Sequence, residues 1–345
     1  MIISVLSVLI TFSIVVFVHE LGHFIVAVRS GVLVHAFSIG FGPEIIGFTH
    51  KGIRYKFSLI PLGGYVKMKG EDPEEEGARE SDAFMGLEPF KRMAVIAAGP
   101  FMNFVTGMLI FSGIIYFSGM PQLINKPVVG GFTMESPAEK AGLKIGDKII
   151  SINDKEIKSW YEIAEHAGVN AGNMIELVIE REGERMNISL MPEMNKEVGR
   201  VLIGITQPYE IIRYGLFKSF AEGARYTVLL CVRLVEALWL MATGKMAAAI
   251  AGPIGIAKVV SRAANDGLVQ LLQWIALISI NLGFINLFPI PILDGGHIVF
   301  AICEKIKGSP IDPQKVNIAN MVGLTLILAL IIFATWQDIA RIVFK

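Results

Sequence analysis

The chain has 345 residues, 53% of them hydrophobic, with a mean hydropathy of +0.57, and the apolar excess is gathered in runs that mark an integral membrane protein. Its 31 basic and 31 acidic residues cancel and no basic stripe carries interleaved aromatics, which argues against nucleic acid as a partner. Cys231 and Cys303 are the only cysteines, too few for a disulfide framework or a thiolate metal cluster, so each reads as a small packing residue.

Residues 1–30 read as a first transmembrane helix. Met1 to Val18 carries no charge and Phe24 to Val28 continues the apolar run. No basic n-region precedes it, so it reads as a retained span, and neither end of the chain carries a lipidation motif. Within it lies His19-Glu20-Leu21-Gly22-His23. Four residues turn a helix by about 400°, so the two imidazoles sit within about 40° of one face, the geometry for gripping a zinc ion. Glu20, beside that face, is placed to take a proton from water activated by the metal. A pattern with two free positions also arises by chance. The membrane setting favours the metal reading, because ionisable groups without a task are costly there.

Residues 31–92 read as a β-rich cytoplasmic loop with an acidic linker, Glu71 to Glu76. Ile53, Tyr55, Phe57 and Leu59 alternate with Arg54, Lys56 and Ser58, the pattern of a strand with one apolar face. Glycines at 40, 42, 47, 52, 63 and 64 suit turns and bulges. The loop is either a small subdomain or a strand edge offering backbone hydrogen bonds to an extended substrate. In the second span, 93–118, Gly99, Asn103 and Gly107 recur on one face. Small residues let helices approach closely in lipid and an asparagine can hydrogen-bond across the contact, so packing against the first helix is expected before a direct part in chemistry.

Residues 122–208 turn polar. Ala141-Gly142-Leu143-Lys144-Ile145-Gly146-Asp147-Lys148-Ile149-Ile150-Ser151-Ile152-Asn153 resembles the signature of PDZ domains, in which the glycines and Asp147 are turn residues. Such folds bind extended peptides at a sheet edge, and Leu202-Ile203-Gly204-Ile205 is a candidate carboxylate-binding loop. Residues 209–266 read as an amphipathic helical region at the outer membrane surface, because a fifth span would bury Lys218, Glu222, Arg225, Arg233 and Glu236.

The third span, 268–293, ends in Leu293-Asp294-Gly295-Gly296-His297, followed by a cytoplasmic loop, 294–315, and the fourth span, 316–337. Asp294 either caps the next helix or completes the metal site, since two histidines leave a catalytic zinc one protein ligand short. His297 is the rival third ligand, or a partner that orients Asp294. Lys51, Arg54, Lys56, Lys67, Lys69, Arg79, Lys91 and Arg92 fall between the first two spans, and Lys305, Lys307 and Lys315 between the last two. Both loops are therefore expected in the cytoplasm, with both termini and the 120–266 region outside.

These motifs, with the Gly-Pro-x-x-Asn of the second span and Asn286-x-x-Pro289-x-Pro291-x-Leu293-Asp294-Gly295-Gly296-His297, resemble the site-2 protease family of intramembrane zinc metalloproteases, nearest its bacterial RseP type. The resemblance implies a polytopic α-helical membrane protein with four transmembrane helices, a membrane-associated β-rich cytoplasmic loop and one extracytoplasmic PDZ domain, in the bacterial inner membrane. It implies Zn2+ held by His19, His23 and Asp294, with Glu20 as acid and base. It points to Asn281 and Asn286 as substrate-holding residues, and to Gly63, Gly64 and Tyr65 in the β-region that receives substrate. The implied partners are the lipid bilayer and single-pass transmembrane proteins, such as an anti-sigma factor or a remnant signal peptide, with the PDZ domain contacting substrate ectodomains or filtering them by size. One departure is that RseP-type members carry tandem PDZ domains and this chain has room for one. A membrane-anchored zinc peptidase acting on cytosolic proteins would take its third ligand from a downstream glutamate on a soluble helix. A PDZ scaffold would leave Glu20 idle, and a zinc transporter would carry more intramembrane ligands.

Overall fold

The computed structural model describes residues 2–72, 75–133, 136–170, 172–195, 200–246 and 251–343. Pro73 and Glu74 of the expected acidic linker lie outside the described residues. The chain divides into two compact units, one of residues 1–116 with 215–345 and one of residues 117–214.

The first unit opens with α1 (Ile2–Arg29), followed by β1 (Val34–His50) and β2 (Ile53–Met68), an antiparallel pair folded back on itself. Phe37 has Val66 on one side and Tyr55 on the other, so Gly64–Met68 has β1 along one edge only; among the described residues no strand covers its other edge. The expected apolar face is inverted around residue 58. Ser58 is fully buried, with its hydroxyl 3.1 Å from that of Ser38, while Phe57 and Leu59 face outward with Ile45, Ile46 and Phe48. On this stretch the exposed face is therefore the apolar one, and the paired serine hydroxyls lie on the buried side. Next comes α2 (Pro89–Ser118), packed so closely on α1 that a Cβ on Gly22 would lie 2.7 Å from the Ala98 carbonyl carbon.

The second unit contains β3 (Met120–Leu123), β4 (Gly131–Phe132), α3 (Pro137–Lys140), β5 (Lys148–Ile152), β6 (Lys155–Glu156), α4 (Trp160–Val169), β7 (Ile175–Arg181), β8 (Glu184–Leu190), β9 (Glu193–Asn195), β10 (Arg200–Leu202), β11 (Ile205–Thr206) and β12 (Tyr209–Ile212). A four-stranded sheet in the order β6-β5-β7-β8 is flanked by the pairs β3 with β12, β4 with β11 and β9 with β10. Ile149 and Ile152 of β5 and Ile175, Leu177 and Ile179 of β7 are fully buried and form its core, the β7 set spaced two apart as one sheet face requires. Asp147 accepts from the Lys144 N–H at 2.8 Å and from Arg181 at 2.6 Å. Burial opposes its ionisation, but the Arg181 guanidinium and the Lys144 N–H outweigh that cost and hold the carboxyl below the usual range.

The chain then returns to the first unit with α5 (Leu216–Ala242), α6 (Pro253–Asp266), α7 (Leu268–Asn286), α8 (Asp294–Lys307) and α9 (Pro313–Val343). Among the described residues four helices, α1, α2, α7 and α9, are long and apolar enough to cross a membrane. α5, in the region expected as amphipathic at the outer membrane surface, packs on other helices of this unit. Its buried face is the small-residue stripe Ser219, Gly223 and Thr227, with Gly223 against Ser112 and Tyr226 edge-on to Phe111 at 4.8 Å. Leu230 and Cys231 continue onto the cluster of Phe104 and Ile280, so α5 leans along α2 and α7, as small residues allow. The expected span 268–293 is shorter: α7 ends at Asn286, and Asp294 is the first residue of a further helix within the stretch 294–315. Pro289 and Pro291 cannot donate to a helical ladder, and Gly295 and Gly296 let α8 fold against the carbonyls of Leu287, Phe288 and Ile290.

Candidate active site

On α1, His19 and His23 stand one above the other, with their Nε2 atoms 3.2 Å apart. Asp294, the first residue of α8, brings Oδ2 to 3.2 Å from His19 Nε2 and Oδ1 to 3.6 Å from His23 Nε2. One ligand atom from each of the three lies within 4.8 Å of the others. The far side of each ring is engaged. His23 Nδ1 donates to the Val95 carbonyl at 2.9 Å, and His19 Nδ1 lies 3.2 Å from the Asn103 amide. A ring that donates from Nδ1 presents a bare lone pair at Nε2.

Asp294 Oδ2 is buried and, despite its nearness to His19, has no hydrogen-bond partner. Facing lone pairs with no proton between them call for a cation. A tetrahedral zinc with bonds of about 2.0–2.2 Å spaces its ligand atoms about 3.3 Å apart, so two imidazoles and a carboxylate at these separations fit it. Such a site leaves one position for water.

Glu20 lies beside this cluster and takes a backbone hydrogen bond from Val66 on the uncovered edge of β2. Two cavities meet there, sharing His19, Glu20 and Asn286. One, of about 400 Å³, is mainly apolar, lined by Phe12, Val16, Phe41, Gly63, Gly64 and Leu282. The other, of about 610 Å³, is lined by Tyr65, Val66, Glu71, Arg92, His297 and Glu304, among others. The β2 edge therefore passes from the first to the second, with Gly63 and Gly64 on one side of the cluster and Tyr65 and Val66 on the other. Tyr65 stacks on Phe41 at 6.1 Å.

Of the expected substrate-holding asparagines, the structure brings only Asn286 to the site, its amide 3.2 Å from His19 Nε2. Asn281 lines neither of these two cavities. Five residues turn a helix by about 500°, which leaves it roughly 140° from Asn286, whereas Leu282 is one turn away and shares the cavity. His297 lines the polar cavity one turn beyond Asp294 but stands outside the three-residue cluster.

Sequence reasoning missed several supporting residues. Gly99 gives the imidazoles room, since a Cβ there would lie 2.6 Å from His23 Cε1 and 2.8 Å from His19 Cε1. Arg92 pairs with Glu304 across the polar cavity and ties α2 to α8. The four-residue repeat of Gly99, Asn103 and Gly107 was the visible signal, and it marks the face that α2 turns to the histidines.

Comparison with known proteins extends this beyond the cluster. Residues 7–330 match the model of peptidase family M50. The zinc metalloprotease RasP of Geobacillus kaustophilus is 32% identical, with 98% of each chain covered. The regulator of sigma-W protease RasP of Bacillus subtilis is 30% identical over 98% of this chain and 99% of its own. Among solved structures, the PDZ domain of an SdrC-like protein from Listeria monocytogenes aligns with 25% of this chain and 92% of its own length, at 20% identity and a TM-score of 0.22. Since the family match takes in both ends of the metal cluster and nearly everything between the termini, this chain belongs to peptidase family M50, the site-2 protease family, and is a zinc metalloendopeptidase.

Proposed function

We propose that the protein hydrolyses peptide bonds within or near the transmembrane segments of single-pass membrane proteins. The observation that carries this reading is the uncovered β2 edge, which runs from an apolar cavity into a polar one past the metal cluster. A transmembrane helix hides its carbonyls in its own hydrogen bonds, so a scissile segment must be drawn out as a strand before it can be attacked. The β2 edge offers that strand backbone partners, and the outward apolar side chains of the hairpin suit lipid contact.

His19, His23 and Asp294 would hold the zinc, which would supply Lewis acidity for activating water and a peptide carbonyl. Glu20, its carboxylate held in place by the Val66 N–H, is placed to accept a proton from the attacking water and return it to the departing amine. Asn286 borders both cavities and anchors substrate next to His19, with Gly63, Gly64 and Tyr65 along the strand. By the distribution of lysine and arginine, the site lies near the cytoplasmic side of the bacterial inner membrane and residues 117–214 lie outside. That outer unit is a PDZ domain on its sequence signature, and it contacts substrate ectodomains or excludes bulky ones. The family resemblance implies an anti-sigma factor or a remnant signal peptide as substrate, and the name of the Bacillus subtilis relative, a regulator of sigma-W, is in keeping with the first.

The test is cleavage of a tagged single-span substrate with a trimmed ectodomain by purified protein in detergent, with zinc content measured in parallel. Wild type is expected to cleave; Glu20→Gln to lose cleavage and keep zinc; Asp294→Asn to lose both. Cleavage by Glu20→Gln at the wild-type rate would sink the hydrolytic role given to Glu20.

A further inference from the structure

We propose that Asn103 of α2, held by Ser279 of α7, is the positioning residue for His19: its side-chain carbonyl accepts the Nδ1–H and fixes the ring with Nε2 towards the metal. This rests on His19 being a zinc ligand. Asn103 is fully buried in an apolar helix, where an amide must find partners for both its ends. One end lies 3.2 Å from His19 Nδ1 and the other 3.4 Å from Ser279 Oγ, which is also 3.0 Å from the Asn103 main-chain carbonyl.

The proton inventory selects the orientation of that amide. A metal-facing Nε2 carries a lone pair, so Nδ1 carries the proton and needs an acceptor. Turning the amide oxygen to His19 supplies one. The amide NH2 then donates to Ser279 Oγ, whose own proton goes to the Asn103 main-chain carbonyl, and every polar group in the chain is satisfied. With the amide reversed, His19 would carry its proton at Nε2, aimed at the other two ligands. Ser279 would then face two carbonyl oxygens with a single proton.

The arrangement also explains why this residue stands at this place. Val95 and Asn103 are two turns apart on α2, with Gly99 between them clearing space for both rings. The Val95 carbonyl steadies His23 from the main chain. His19, one turn away along α1, meets no such carbonyl and is held by a side chain. Only the His19 contact can therefore be removed by substitution.

The experiment measures zinc affinity by chelator competition on purified full-length protein in detergent, with the absorption spectrum of the cobalt-substituted form as a second readout and the melting temperature of the metal-free protein as a fold control. Asn103→Leu, which keeps the volume and removes the acceptor, is expected to weaken zinc binding about 10- to 100-fold and to alter the cobalt bands. Asn103→Asp, which keeps the acceptor, is expected to hold zinc within about threefold of wild type or more tightly, the usual effect of a carboxylate behind a metal-bound imidazole. Ser279→Ala frees the amide to turn and is expected to weaken binding to a smaller extent. It decides the matter if Asn103→Leu does not fold. Wild-type zinc affinity in Asn103→Leu, or in Ser279→Ala where only that variant folds, overturns the proposal, as does equal zinc loss in Asn103→Leu and Asn103→Asp. His19→Ala separates the two levels. If it too binds zinc normally, the ligand assignment itself falls; if it loses zinc while Asn103→Leu does not, only the positioning role falls.

Discussion

Gly99 shows how little freedom the metal cluster leaves its neighbours. An added methyl at residue 99 would meet both imidazoles, whereas Gly113, on the same helix, has nothing within 4 Å of an added Cβ. Gly99→Ala is therefore expected to displace the rings and lower cleavage by roughly 100-fold or more, the usual cost of misplacing catalytic groups by about 1 Å, with Gly113→Ala near wild type. A substrate-cleavage assay on both variants checks this. The spacing of His19 and His23 was readable because helical phase is local. The demand on Gly99 was not, because it arises from a second helix.

The uncovered edge of β2 and the ion pair of the second unit each carry a prediction about an element. Val66→Pro removes the N–H that Glu20 accepts, and proline is tolerated on strand edges whose N–H faces away from the ladder. Cleavage is expected to fall at least about tenfold with zinc content unchanged, since the carboxylate is misplaced while the ligands are not. In the second unit, Asp147 has its folded pKa held below its unfolded value. Its contribution to stability is present above the unfolded pKa, near 3.9, and is lost as the pH falls through the lower folded value. Protection of the 144–152 amides in the full chain, measured against the intrinsic exchange rate at each pH, should be high at pH 5 and fall below about pH 4, and Arg181→Leu should lower it already at pH 5. The strand pattern of residues 53–59 was legible from its period of two. Which side faced inward was not, since Ser58 is buried by its contact with Ser38 from another strand.

At the scale of the whole molecule, the charge distribution predicts which parts lie on which side of the membrane. In a chain with Cys231→Ser and Cys303→Ser, Lys307→Cys should react with a membrane-impermeant maleimide only in inside-out vesicles, and Lys155→Cys only in right-side-out ones. The reverse pattern would overturn the assigned orientation. The membrane class, the four apolar helices and the His-Glu-His face could be determined from sequence by itself, because apolar length and helical period are properties of neighbouring residues. Only the tertiary structure decided that Asp294 and not His297 joins the two histidines, that Asn286 lies against His19, that α7 stops before its prolines, and that α5 leans on α2. Each of these depends on where a distant segment turns or packs, and the physical terms that set it, close approach at glycines and the pairing of buried polar groups, exist only once the helices are side by side.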